Sequence, residues 1–224
     1  MFDTIILLTG PTEQVPLASA LRGHRPQLVI YPVTASEELA ALDTDVLQRA
    51  RLIAFSSPVI VPSCVLSALG YGAYNFHPGP PDYPGWAPAH FAMYDGATEF
   101  GGTMHAMTER VDAGPIVDVV QFPVPAGINV EGLEGLAYAH LAQMYWRHAG
   151  RLANEAAPLP ERPITWGPRK NTRRSYQAIC DISLDITKDE FERRMRVVGH
   201  NHFGMSATIH LHGVEFRAVT RTAS

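Results

Sequence analysis

The run Thr4-Ile5-Ile6-Leu7-Leu8-Thr9, stopped by Gly10-Pro11, constrains this chain more than any other feature. It is short and apolar with no polar alternation, as expected of a strand buried on both faces, and such a strand needs helices above and below a parallel sheet. A helix over Glu13 to Leu21 and a strand at Gln27 to Tyr31 follow, the strand, helix, strand order of a right-handed crossover. A helical stretch from Glu37 to Ala50 leads into a third strand at Leu52 to Phe55, and Pro62 suits the first position of a helix ending near Gly70. The fold expected is α/β: a doubly wound, mostly parallel, Rossmann-like sheet.

Tyr74 to His77 reads as a fourth strand that stops in the proline- and glycine-rich loop from Pro78 to Gly85. Polar residues at the carboxyl end of such a strand lie where open α/β sheets place their sites. A short helix (Pro88 to Gly96) and strands at Gly102 to Met107 and Ile116 to Phe122 come next, joined by Val111 to Pro115. Asn129 is the expected N-cap of a long amphipathic helix to Leu152, marked by Leu133, Leu136, Leu141 and Met144. After the Pro-rich stretch from Pro158 to Pro163 come a helix at Lys188 to Val198 and strands at Ala207 to Leu211 and Val214 to Val219, turned by His212-Gly213. The expected division is a catalytic domain over 1–165 and a small helix-plus-hairpin subdomain over 166–224.

With 224 residues, one main core and one main site are expected. The net charge of -4 provides no global field for a phosphate backbone, so no nucleic-acid partner is expected. The short basic run Arg169, Lys170, Arg173, Arg174 reads as a solvated loop, able to hold the phosphates of a small ligand. Cys64 and Cys180 have no metal-type spacing and read as buried free thiols of a cytoplasmic protein. Ile5 to Leu8 is too short for a signal peptide or a membrane span, so no membrane partner is expected. His210-x-His212 lacks partners at ligand spacing, so no metal is expected, while His200 and His202 are loop histidines that can reach a substrate.

Asn75 and His77 stand two residues apart on a strand, so their side chains share one side. An amide and an imidazole aimed at one point can polarise a carbonyl and donate to a developing oxyanion. A nearby carboxylate would orient the imidazole and favour its protonated form. On spacing alone, a strand-end Asn-x-His is more often a structural hydrogen-bonding feature than a catalytic pair.

At these residues the chain resembles the folate-dependent formyltransferase family. The match comprises Asn75-Phe76-His77-Pro78, the loop through Tyr83-Pro84-Gly85, the helix ending at Gly96, then Phe100-Gly101-Gly102-Thr103-Met104-His105 and Val111-Asp112-Ala113-Gly114-Pro115-Ile116. The resemblance implies direct transfer of a formyl group from 10-formyltetrahydrofolate to an unprotonated amine. It implies that Asn75 and protonated His77 stabilise the oxyanion, while Asp112 supports His77 and helps relay a proton. It further implies a pterin cleft between Val59, Ile60 and Val61 and the loop from Thr108 to Gly114, with Thr108, Val111 and Gly114 among the folate contacts. Candidate acceptor contacts are Gly10, whose backbone can offer donors to an anion, and Tyr83 and Gly85 in the site loop.

Gly10-Pro11-Thr12-Glu13-Gln14 is not the glycine-, asparagine- and serine-rich phosphate loop of the glycinamide ribonucleotide enzymes. The stretch from Asn171 to Ser224 is smaller than the basic tRNA-binding domain of enzymes that formylate methionyl-tRNA. In architecture the chain is similar to the amino-sugar N-formyltransferases, which implies a nucleotide-linked amino sugar as acceptor and a homodimer. Another small amine, or a non-catalytic folate-binding protein of the same fold, are the other readings.

Overall fold

In a computed structural model of the chain, which describes residues 1–199 and 202–219, six strands form one sheet in the order β2-β1-β3-β4-β5-β6. Central β1 (Thr4–Leu8) pairs in parallel with β2 (Val29–Val33) and with β3 (Ala50–Phe55), and β3 pairs in parallel with β4 (Ala73–His77). β5 (Glu99–Ala106) runs antiparallel to β4, and β6 (Ile116–Pro123) antiparallel to β5. The chain leaves β1 toward β2 on one side and returns to β3 on the other, and at such a reversal the loops beyond the strands diverge and leave a crevice.

The apolar run of β1 is buried on both faces, as its sequence requires. Ile5 and Leu7 pack with Leu17 and Leu21 of α1 (Pro11–His24) and with Leu141 and Tyr145 of α6 (Val130–Asn154). Ile6 and Leu8 pack on the opposite face with Leu39 of α2 (Ser36–Ala40), Leu47 of α3 (Thr44–Arg49) and Val65 of α4 (Ser63–Ala68). Asn129 caps α6 as expected, its Oδ1 accepting from Gly132 N at 2.8 Å.

A third cluster joins Phe91 of α5 (Pro88–Asp95), Phe100 and Leu133 to Tyr176, Ile179 and Cys180 of α7 (Arg173–Cys180) and to Val197 and Val198 of α8 (Lys188–Val198). The C-terminal helices therefore share a core with the β5 and β6 side of the sheet. The antiparallel hairpin β7 (Thr208–Leu211) and β8 (Val214–Arg217) follows. No described helix is long and apolar enough to cross a membrane.

Several expectations change. The single helix over Glu37 to Ala50 is two, because the Asp43 carbonyl accepts from Val46 N and Leu47 N and starts a new helix there. Pro62 caps α4 instead of opening it, its carbonyl accepting from Val65 N and Leu66 N, and the helix ends at Ala68. β5 begins at Glu99, three residues before Gly102. The basic run is not one loop: Ser175 N donates to Thr172 Oγ1 at 3.0 Å and Thr172 N to Ser175 Oγ at 2.8 Å, so Arg173 and Arg174 open α7. Arg169 pairs with Asp95. Cys64 is exposed, contrary to expectation, because it faces away from the sheet on the short α4; Cys180 is buried, and burial pushes its thiol up to about 11. His200 and the side chain of His202 lie outside the described residues.

Candidate active site

The side chains of Asn75 and His77 project from the same side of β4, and the antiparallel register sets His105 of β5 opposite Asn75. The connector from β5 to β6 then folds Asp112 onto all three, with its backbone in the left-handed region at φ 45°. Aspartate is among the few residues that tolerate this conformation. Asp112 Oδ2 lies 3.4 Å from His77 Nδ1, and Oδ1 lies 3.2 Å from His105 Nε2 and accepts from Asn75 Nδ2 at 3.4 Å. Asn75 Nδ2 also meets His105 Nε2 at 3.2 Å.

The loop beyond β4 closes over this group. His77 Nε2 is 3.1 Å from the Tyr83 carbonyl, and Gly85 N donates to Asp112 Oδ2 at 2.8 Å. Gly85 sits at φ 96°, and a Cβ there would lie 2.1 Å from the Asn171 carbonyl oxygen, so only glycine fits. The strap before α7 is laid along the same loop: Gly167 N donates to Pro81 O at 2.9 Å, Asn171 N to Pro84 O at 2.8 Å, and Trp86 N to Asn171 O at 2.9 Å. Trp166 presents its ring edge-on to His77 and His105, at centroid distances of 5.8 and 5.0 Å, while its Nε1 donates to Gly114 O at 2.8 Å. A Cβ on Gly114 would come within 2.0 Å of the Ala106 carbonyl.

Burial alone would raise the pKa of Asp112. The His77 and His105 imidazoles and the Gly85 N–H outweigh it and hold the carboxyl well below the usual carboxylate range. The donors from Gly85 and Asn75 act whatever the state of the imidazoles, so Asp112 is ionised. For His77 the balance goes the other way: burial lowers its pKa, Asp112 only partly restores it, and His105 adds to the lowering. This reverses the expectation that the carboxylate would favour the protonated ring, because the ring is taken out of water. Both ring nitrogens nevertheless face acceptors, so a proton arriving at His77 completes two hydrogen bonds where the neutral ring makes one.

These residues form one wall of a cleft of about 550 Å³. Val59, Ile60 and Val61 line it together with Thr108 and Val111, and Ile60 is 62% exposed, an apolar surface suited to a flat ring. Among the five described non-glycine residues with positive φ, four line the cleft: Ser56, Ala87, Asp112 and Phe203. Unfavourable backbone gathered at one cavity is a mark of function.

The structure thus brings Asn75, His77, Asp112, Val59, Ile60, Val61, Thr108, Val111 and Gly85 to one cleft. Gly114 lies behind the wall under Trp166, Tyr83 contributes its carbonyl to His77, and Gly10 stands apart at the N-terminus of α1. His105, Trp166 and Asn171 were not singled out from the sequence. Strand alternation back from Met107 could have found His105, whereas nothing local marks Trp166 or Asn171, which the tertiary fold delivers.

The formyl transferase family model matches residues 32–140. A methionyl-tRNA formyltransferase from Listeria monocytogenes is 33% identical over 120 residues, which is 53% of this chain and 36% of that protein. The aligned part therefore spans little more than a third of the length of that relative. In fold, the chain is similar to a sugar N-formyltransferase from a Shewanella species, at TM-score 0.77 and 15% identity over 99% of each chain. It is similar as well to an N-formyltransferase from Helicobacter canadensis in complex with folinic acid and dTDP-3-aminofucose, at TM-score 0.65 and 15% identity over 88% of this chain and 80% of that one.

Proposed function

We propose that the chain is a member of the formyl transferase family, whose model matches residues 32–140, and that it moves a formyl group from 10-formyltetrahydrofolate to the primary amine of a nucleotide-linked amino sugar. The observation that carries this reading is the contact of an amide, two imidazoles and an ionised carboxylate on the wall of one apolar-floored cleft. The acceptor half is supported by the fold of the Helicobacter enzyme, whose structure holds a folate and a dTDP-amino sugar.

In this mechanism the pterin lies on Val59, Ile60 and Val61 and beside Thr108 and Val111, which leaves the formyl carbon near Asn75 and His77. The unprotonated amine attacks that carbon. Asn75 exchanges one of its long Nδ2 contacts, 3.2 and 3.4 Å, for the developing oxyanion. Neutral His77 takes up the proton that the amine sheds and is held as imidazolium between the Tyr83 carbonyl and Asp112. Stabilisation that appears only once charge has formed accelerates the chemical step. The tetrahedral intermediate then collapses by cleavage of the bond between the formyl carbon and the folate nitrogen, to which His77 returns the proton, directly or through water.

The proposal includes a cytoplasmic homodimer, with the exposed Leu211, Val214 and Phe216 of the hairpin as the face offered to a second copy. A second reading, transfer to methionyl-tRNA, is favoured by the Listeria relative and is opposed by the net charge of -4. The test is an acceptor panel with 10-formyltetrahydrofolate: nucleotide amino sugars including dTDP-3-aminofucose, amino-acid derivatives, and methionyl-tRNA. Tetrahydrofolate release with a nucleotide amino sugar is expected. Release with the tRNA alone would move the acceptor, and folate binding without turnover on any amine would refute transfer.

A further inference from the structure

Asn171 is 2% exposed, yet neither its Nδ2 nor its Oδ1 has a hydrogen-bond partner among the described residues. Gln14 and His148 also leave a buried atom unpaired, but each engages its other polar atom: Gln14 Nε2 donates to three carbonyls and His148 Nε2 meets Asp118 at 2.9 Å. A buried amide with both ends idle is costly, and natural folds keep such groups where something else completes them.

The backbone of Asn171 is fully used at the same time. Its N–H and carbonyl bind Pro84 O and Trp86 N, on either side of Gly85, whose own N–H binds Asp112. The side chain is therefore fixed one residue pair away from the reacting carboxylate, on the wall of the main cleft. The residue also lines a smaller hollow of about 200 Å³.

We propose that the Asn171 amide is an acceptor-recognition group, hydrogen-bonding a ring hydroxyl next to the amine that receives the formyl group. The inference rests on the formyl-transfer reading above. A hydroxyl donates and accepts at one atom, which matches an idle N–H and an idle carbonyl offered side by side. Asn171 lines the same cleft as Asp112 and is tied to it through Gly85, so the matching hydroxyl belongs to the acceptor near its amine. A site built to bind a hydroxyl rejects the analogue that lacks it, because the buried amide is then left unpaired.

The test compares wild type with Asn171→Leu and Asn171→Ala, using the nucleotide amino sugar that supports turnover and its deoxy analogue lacking the hydroxyl beside the amine. Asn171→Leu keeps the branching and removes the idle polar atoms, so its Tm should equal or exceed that of wild type. Affinity for folinic acid should be unchanged. kcat/KM for the hydroxylated acceptor should fall about 10- to 100-fold, chiefly through KM. The deoxy analogue should lose a similar factor on wild type and little on the variant, the coupling expected of two groups in contact. Asn171→Ala, which removes both polar atoms without adding a charge, gives the same reading should the leucine variant fail to fold. Acceptor kinetics within about threefold of wild type, or an equal deoxy penalty in both proteins, overturn the proposal and leave formyl transfer standing. No turnover by wild type on any amine sinks both.

Discussion

Two buried aspartates, six residues apart, show what separates a site from a clamp. Asp118 on β6 is held by Arg162 at 2.6 Å, by His148 at 2.9 Å, by Arg147 at 3.3 Å and by the Val119 N–H at 3.0 Å. Its charge is met by two guanidiniums that never lose theirs, and it ties β6 to α6 and to the segment at residue 162. Asp112 is equally buried, but its partners are two imidazoles, an amide and one backbone N–H, and it faces the cleft. A carboxylate beside a histidine is thus not by itself a catalytic signature. What marks Asp112 is that its balancing charges can come and go with protons.

The difference can be broken most sharply at Asp112. Asp112→Asn should reduce turnover ~10²-fold or more while the protein still folds, as judged by a cooperative melt and retained folinic acid binding. Near-normal turnover would make Asp112 another clamp. Gly85→Ala comes next: the new Cβ collides with the Asn171 carbonyl at an already left-handed residue, so the strap must detach and the donor to Asp112 shifts with it. Loss of about 2 kcal/mol or more in denaturant titration, together with reduced turnover, is expected. Wild-type stability would mean that the strap does not hold the loop.

Asp118→Asn should do the opposite of Asp112→Asn. Its partly exposed arginines remain solvated when the charge is lost, so the cost should be about 1–3 kcal/mol of stability with kcat/KM within about threefold of wild type. The smallest effect is on pH dependence. His77 has a folded pKa below its ordinary 6.5, so protonation favours the unfolded chain and stability falls as pH drops below 6.5 toward the folded value. Asp112, lowered from 3.8, contributes stability above that value that is lost only in stronger acid. His77→Gln should therefore flatten Tm between pH 7 and pH 5 relative to wild type. An unchanged slope would show that the ring is not held neutral.

Much of this was legible in the residues. The β1 run named a doubly wound sheet because alternate residues had to find cover on opposite faces, and Ile5 and Ile6 do. Asn75 and His77 could be put on one side by strand period, and Asp112 came from the family resemblance. The strand expected from Gly102 begins at Glu99, and a Cβ on Gly101 would lie 1.9 Å from the Val120 carbonyl, a close approach that needs glycine within the strand. The charges of Arg169 to Arg174 hid α7, whose Tyr176, Ile179 and Cys180 spacing was helical all along. The strap was not legible: Trp166 and Asn171 reach the site by pairing with residues 85 to 89 positions earlier, a contact that no local pattern encodes. The protonation balance at His77 also needed the structure, since burial and Asp112 pull in opposite directions.

The most direct test of the account is transfer of an isotopically labelled formyl group from 10-formyltetrahydrofolate to a nucleotide amino sugar, read by mass spectrometry of the acceptor. Wild type, Asp112→Asn and Asp118→Asn would be assayed side by side. The account predicts labelled acceptor with wild type and Asp118→Asn and almost none with Asp112→Asn. Equal labelling by both aspartate variants, or an unlabelled acceptor with all three proteins, would contradict it.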